Sequence, residues 1–274
     1  MLSVVIPSRN GAALLRRYLP PVLRESRGLG EVVVVDDGST DDTGQVLSEF
    51  DYRNLRRVSR AGGPNGFCYT VNRGMEEAEG DLLLLLNNDV EPERGAFRAL
   101  VRAAEQADER TYALVPSIVR PDGTEEGGCV VRMTRGLPRT SMSGPGIPYP
   151  SGACSLFPRR AWERLGGLST RFAPIYWEDV DLGLRAREMG MRLARVPGSV
   201  VNHQHAATMG RTLESEILRE RNRLLLADTS PLPAGWRAMF RLWLPYHLLM
   251  AGLRGNRAFR GGYRQWRAME CEGE

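Results

Sequence analysis

Residues Asp81-Leu82-Leu83-Leu84-Leu85-Leu86-Asn87-Asn88-Asp89 contain the most apolar run of the chain and end it on three polar side chains. Five successive leucines leave no alternation between faces, so the run reads as a strand buried on both sides. Working outward, Leu2 to Ile6 is a second short apolar run that ends at Pro7, and Val32 to Val35 a third that ends in Asp36-Asp37-Gly38-Ser39. A weaker run follows at Leu55 to Val58. Helical spacing fills the gaps at Ala12 to Arg24 and near Tyr69 to Glu79, with Ser39, Thr40 or Asp41 as N-cap for Val46 to Phe50. Pro92 is expected to open one more helix, running to about Gln106. This alternation defines an α/β chain with a Rossmann-like, mostly parallel central sheet flanked by helices.

Ligands of such sheets bind beyond the carboxyl ends of the strands. The polar clusters fall there: Pro7-Ser8-Arg9-Asn10, Asp36-Asp37 and Asn87-Asn88-Asp89 each follow an apolar run. The glycine-rich dinucleotide fingerprint and the lysine-bearing phosphate loop are both absent from the sequence, so the phosphates of any nucleotide must be held another way.

Composition narrows the chemistry. The chain has 274 residues, 37 basic and 33 acidic, giving +4. Every basic residue is arginine, which excludes Schiff-base lysine catalysis. The excess is uneven: residues 1–210 hold 26 Arg and 26 acids, whereas 211–267 hold 11 Arg against 4 acids, 11 − 4 = +7. A neutral body with a basic tail argues against diffuse nucleic-acid binding and for a local anionic partner. Cys68, Cys129, Cys154 and Cys271 lack metal-ligand or redox spacing and are expected to be reduced thiols. The N-terminus enters a strand directly and no window reaches 18 consecutive apolar residues, so the expected location is cytoplasmic.

The second half opens with a Gly-, Pro-, Ser- and Thr-rich segment, Gly123 to Gly152, expected to be a hairpin or mobile loop. Pro158 to Leu165 and Glu178 to Met189 read as helices, followed by a strand through Val200 and Val201 to His203 and a helix over Thr212 to Asp228. Trp177-Glu178-Asp179-Val180-Asp181 places three acids at a helix start, more than capping requires. One can cap and another can act as a general base, its pKa expected to be lowered by the helix dipole and a nearby cation. The competing reading is an acidic first turn paired with Arg185 or Arg187. Asp89 can hold a hard cation whose shell is completed by phosphate and water, or can cap the following helix. His203 and His205 flank Gln204 at the strand end, as metal ligands, acid/base groups or polar termini.

SVVIPSRNGAALL, VVVVDDGSTDDT, NGFCYTVNRGMEEAEGDLLLLLNNDVEP, SGACSLFPRRAWERLGGL and WEDVDLGLRAREMGMRL occur in this order. Together they resemble the family 2 inverting glycosyltransferases of GT-A fold, bacterial rhamnosyl- and galactofuranosyl-type members above all, from Leu2 to Leu226. The resemblance implies transfer of a sugar from a dTDP- or UDP-type donor to a hydroxyl of a glycan or lipid-linked acceptor. It implies that Pro7, Arg9, Asp36 and Asp37 line the nucleoside pocket, with Asn88 on the donor side. It places Asp89 and His203 on a divalent metal, Mn²⁺ or Mg²⁺, Asp179 as the base, and Trp177 and Glu178 beside the acceptor. With no lysine present, Arg211, Arg219 and Arg221 are candidate phosphate partners, the competing reading for each being a solvated helix face, and Gly152 with Ala153 allows close backbone approach to the donor sugar. The chain departs from the family in having one carboxylate where many members have two, which ties metal affinity to the bound diphosphate.

The expected organisation is a catalytic domain over 1–228, with a nucleotide-binding half at 1–110 and an acceptor half at 111–228, then a basic amphipathic helical tail at 229–274. Aromatic residues and arginines over 234–267, interrupted by Pro245, suit peripheral contact with an anionic membrane, packing on the domain, or homodimer formation. Two other functions compete: a non-catalytic sugar-nucleotide or glycan-binding module, and a nucleotidyltransferase, which the missing phosphate loop disfavours.

Overall fold

The computed structural model describes residues 1–274 apart from Ala61, Gly127, 205–211 and 272–274. Strands β1 (Leu2–Ser8), β2 (Gly30–Asp36), β3 (Leu55–Ser59) and β4 (Leu82–Leu86) run parallel in the order β3-β2-β1-β4. They are connected through helices α1 (Ala12–Glu25), α2 (Thr43–Glu49) and α3 (Phe67–Glu77). Side chains alternate across the sheet. Val4, Val34 and Leu84 therefore pack with α1 and α2, while Val5, Val35 and Leu85 pack with α3. Leu83 to Leu86 are at most 2% exposed, as burial on both faces requires. None of the three expected caps starts α2; its N-cap is Asp42, and the Asp41 carboxylate instead accepts from the Ala12 and Thr43 amides.

The sheet continues through β10 (Cys154–Pro158), β6 (Thr111–Val119), β11 (Arg192–His203) and β5 (Val90–Pro92), giving eight strands in the order β3-β2-β1-β4-β10-β6-β11-β5. β10 is antiparallel to both β4 and β6, whereas β6 and β11 are parallel. Pro92 does not open a helix: it ends β5, which pairs antiparallel with β11, and α4 (Ala96–Glu105) begins after Gly95. At a sheet edge a proline forfeits no ladder bond that the strand needs. This edge pairing sets His203 opposite Val90, one residue from Asp89.

The Gly-rich segment 123–152 forms a small sheet from β7 (Val130–Thr134), β8 (Leu137–Ser141) and β9 (Ile147–Pro148), in the order β8-β7-β9. The hairpin expected there is present. Helices α5 (Arg159–Leu165), α6 (Glu178–Glu188) and α7 (Leu213–Thr229) follow, and Thr212 with Ser215 closes a capping box on α7.

The tail folds as α8 (Trp236–Leu253) and α9 (Arg257–Cys271). Pro245 does not interrupt α8; it lies within the helix and is exposed. α9 crosses α7 closely, since a Cβ on Gly261 would meet Ile217 at 2.8 Å and one on Gly262 the Arg221 amide nitrogen at 2.7 Å. Only glycine permits that approach. Phe240, Phe259 and Trp266 enter the same core cluster as Leu224 to Ala227, so the inner face of the tail packs on the preceding domain.

Candidate functional site

The residues singled out at strand ends converge on one rim. β4 stops at Leu86, and the Asn87 amide donates to the Ala153 carbonyl at 2.8 Å, joining the Asn87-Asn88-Asp89 turn to the strand that follows Gly152. Asn88 donates from Nδ2 to the Ser8 hydroxyl at 3.1 Å, tying that turn to the end of β1. On its other side the Gly152 amide donates to the Asp179 carboxylate. The turn bearing Asp89 and the helix start bearing Asp179 thus share one short stretch of backbone.

Asp89 and His203 meet directly. His203 Nε2 lies 3.4 Å from Asp89 Oδ1, both side chains are buried, and the Gln204 amide donates to the Asp89 carbonyl at 3.2 Å. His203 Nδ1 lies 2.5 Å from Glu126 Oε1, and Glu126 is in turn paired with Arg120 at 2.7 Å. Burial opposes a charge on His203, but the two carboxylates outweigh it and push the pKa up to about 9. Glu126 carries no signal in the sequence because it lies in the aperiodic Gly-rich segment, far from His203 along the chain. Among the described residues no group of three His, Cys, Asp or Glu is spaced to cage a metal ion.

The three acids of α6 divide by environment. Asp181 is structural: Arg185 Nε reaches its Oδ2 at 2.8 Å and Ser230 donates to its Oδ1 at 2.6 Å, as the competing reading expected. Asp179 is half-buried and its Oδ1 accepts from the Val180 amide at 2.8 Å. Burial outweighs this bond and the one from Gly152, so its carboxyl is raised above the usual range. The lowering expected from the helix dipole is therefore reversed. Glu178 is 4% exposed, and burial together with the charge of Asp179 raises it as well.

Trp177 and Tyr176 precede α6 with φ of 74° and 84°. A left-handed backbone at non-glycine residues costs about 1–3 kcal/mol each and needs support from its surroundings. Asn222 of α7 supplies it: its Nδ2 lies 2.6, 2.9 and 3.0 Å from the carbonyls of Phe172, Ile175 and Tyr176. Trp177 Nε1 donates to the Arg219 carbonyl at 3.0 Å. Of the candidate phosphate partners, Arg219 lies over the Tyr176 ring at 4.3 Å and Arg221 donates to the Ala173 carbonyl.

On the nucleotide side, Pro7 is buried within β1 and Arg9 is exposed just past its end. Asp37 is buried and engaged by the protein, with Arg60 Nη1 at 2.6 Å and the Gly66 amide at 3.0 Å. Asp36 is half-buried on the rim and accepts from the Ser39 amide at 2.9 Å. Space at Gly152 is open, since a Cβ there would sit 3.7 Å from Asp179 and 3.9 Å from the Phe67 ring. Arg211 and His205 lie outside the described residues. A separate cleft of about 460 Å³ lies between α6 and the end of α7, lined by Asn72, Asp181, Arg185 and Ser230. Its Asp181, Arg185 and Ser230 side chains are bonded to one another, and none of the rim residues lines it.

Comparison with known proteins defines the class. The solved structure "GalNAc-T7 with UDP, GalNAc and Mn2+" superposes with TM-score 0.63 at 19% identity, covering 86% of this chain and 52% of that one, so this chain spans about half of that neighbour. The mannosyltransferase PcManGT from Pyrobaculum calidifontis, in complex with GDP-Man and Mn²⁺, gives TM-score 0.61 at 20% identity over 100% of this chain and 76% of that one. The fold is that of the GT-A glycosyltransferases. Residues 3–166 match the family described as Glycosyl transferase family 2, and the chain belongs to that family. A curated relative, the N-acetylglucosaminyl-diphospho-decaprenol L-rhamnosyltransferase of Mycobacterium tuberculosis, is 28% identical over 95% of this chain and 91% of its own length. The protein is a glycosyltransferase enzyme.

Proposed function

We propose that this chain is an inverting glycosyltransferase that moves a sugar from a dTDP- or UDP-type nucleotide diphosphate donor to a hydroxyl of a glycan or lipid-linked acceptor. Asp179 is the general base. Its position carries the reading: a half-buried carboxylate at a helix start, held by the Val180 and Gly152 amides, opens onto the same rim as Asp89 and His203. Burial raises its proton affinity above that of a solvated aspartate, which makes it the better acceptor for a hydroxyl proton. Inversion follows from a single base on the face opposite the leaving diphosphate.

Asp89 and His203 fit a divalent cation, Mn²⁺ or Mg²⁺. Adjacent ligands of an octahedral ion stand about 3 Å apart, close to the 3.4 Å between Asp89 Oδ1 and His203 Nε2. Glu126 on Nδ1 would orient the ring and keep Nε2 facing the ion, the arrangement in which a carboxylate tunes a ligating histidine. When bound, the cation supplies neutralisation of the departing diphosphate. With one carboxylate in the protein, its affinity depends on the nucleotide. Asp36 and Arg9 bracket the nucleoside end of the rim, and Trp177 faces the acceptor end.

Asp179→Asn should lower transfer by at least about a thousandfold, the loss of a base that also aligns the nucleophile. Donor binding, read as a thermal shift with UDP- or dTDP-sugars plus Mn²⁺, should persist. Full turnover by this variant would end the base assignment. We also propose peripheral contact of the tail with an anionic leaflet, because the outward face of α8 is apolar and flanked by arginine. Among the described residues no helix is long and apolar enough to cross a membrane.

A further inference from the structure

Where β8 packs against α7, close to Trp177, lies a group of arginines that the transfer chemistry leaves unused. In the β7–β8 hairpin Arg132 stands directly opposite Arg139. Paired residues of an antiparallel ladder project to the same face, and like charges there repel. Both are exposed. β8 packs against α7, where Arg139 lies within electrostatic range of Glu220 and Arg223. Arg223 Nη2 reaches Glu220 Oε2 at 2.5 Å, but its Nε is buried with no hydrogen-bond partner among the described residues. Arg219 lies one residue before Glu220 and also acts on its charge. Three guanidinia, those of Arg139, Arg219 and Arg223, therefore share one carboxylate, with Arg132 beside Arg139 on the hairpin.

Contacts on its two sides set this cluster between the Tyr176–Trp177 pair and α8. At its inner end Arg219 caps the Tyr176 ring and its carbonyl holds Trp177, two residues before Asp179. At its outer end the hairpin turn is docked on α8: His247 Nε2 lies 2.7 Å from the Arg135 carbonyl, and a Cβ on Gly136 would meet the Met239 carbonyl at 2.5 Å. Past that contact the face of α8 is apolar, with Leu242 76% and Leu249 61% exposed. Moving away from the base, a ligand would meet an aromatic pair, then a concentrated positive charge, then an apolar helix. A sugar, a diphosphate and a lipid chain in covalent series have that same order.

We propose that Arg132, Arg139 and Arg223, with Arg219, form the seat for the diphosphate of a lipid-diphosphate-linked acceptor sugar, separate from the donor diphosphate at Asp89 and His203. This deepens the acceptor half of the proposed function and rests on it. Forked guanidinium donors suit phosphate oxygens, and a bound dianion would supply the charge that Glu220 alone does not. The relative from Mycobacterium tuberculosis is named for a diphosphate-linked acceptor of this chemical class.

The test compares two synthetic acceptors that carry the same sugar, one an alkyl diphosphate and the other an alkyl glycoside without phosphate. In the Arg132→Gln/Arg139→Gln double variant the preference for the diphosphate acceptor, measured as the ratio of kcat/KM values, should fall tenfold or more, as expected when charge-assisted hydrogen bonds are removed. Arg132→Lys/Arg139→Lys should retain more of that preference than the glutamine pair. An unchanged ratio would overturn the proposal, as would a loss expressed in the donor KM, which would assign the cluster to the nucleotide. If the wild type turns over neither acceptor, the enzyme mechanism proposed above is at fault. Titration calorimetry with the alkyl diphosphate sugar then still decides the cluster, because the glutamine pair must weaken binding at least tenfold for it to stand.

Discussion

Glu178 is the most exposed to pH of the site's side chains in energetic terms, although it is buried in space. Its Oε2 has no hydrogen-bond partner among the described residues, and burial plus the charge of Asp179 raises its pKa to about 8. Below the unfolded-state value of about 4.3 both states are protonated and the site carries no penalty. As pH rises above that value the unfolded chain releases its proton while the native state retains it, so stability falls until the folded pKa is passed. Glu178→Gln cannot ionise. The variant should therefore gain on the wild type between about pH 5 and 8, by at least about 1 kcal/mol or roughly 2–4 °C in Tm. Thermal melts of both proteins across that range check this, and a pH-independent gap would refute the assignment. Asp181, two residues after Asp179, is held instead by Arg185 and Ser230.

Among the elements, α7 decides where Asp179, the proposed base, stands. Its Asn222 is fully buried and holds three carbonyls of the loop that leads to Asp179, across the strained backbone of Tyr176 and Trp177. Asn222→Ala would strand those carbonyls at about 1–3 kcal/mol, seen in denaturant unfolding, and should lower kcat more than donor KM because the base moves while the nucleotide rim does not. Equal effects on both would place Asn222 outside the positioning of Asp179. The sequence held only part of this arrangement. Runs such as Leu82 to Leu86 declared buried strands, and the polar residues after them declared the rim, since both are local patterns. Glu126 and Asn222 were invisible because their roles arise from partners 77 and 46–50 residues away. β5 was misread because Pro92 favours a helix start locally, while pairing with β11 overrides that preference. β10 enters antiparallel through a contact with β4 that no hydropathy pattern encodes. The pKa of Asp179 went the wrong way for a similar reason: the helix dipole is legible in sequence, and the burial that outweighs it is not.

For the whole molecule, the charge asymmetry becomes spatial. α8, α9 and the turn between them carry seven arginines through Arg267 and no acid before Glu270. Their inner faces are spent on the core through Phe240, Phe259 and Trp266, so the outer face of α8 is what remains for a partner. Met239, Leu242, Tyr246, Leu249 and Leu253 recur at spacings of three and four and are all exposed, Leu253 by 73%. Pro245 is exposed beside this stripe and Arg241 and Arg254 flank it, the pattern of a helix lying in a headgroup layer. Each leucine would gain roughly 1–2 kcal/mol on leaving water, and each arginine near an anionic surface about 1 kcal/mol. That sum supports reversible binding. A second copy of the chain would bury the same leucines but would bring arginine against arginine, so charge favours the bilayer. The wild type should float with vesicles containing phosphatidylglycerol, bind neutral phosphatidylcholine vesicles much more weakly, and release as salt is raised. Leu242→Glu/Leu249→Glu should lose at least tenfold in vesicle affinity while keeping transfer to a soluble acceptor. If the wild type ignores both vesicle types and instead sediments as a dimer that this variant dissociates, the stripe is a subunit interface and the diphosphate seat beside it must draw its acceptor from solution.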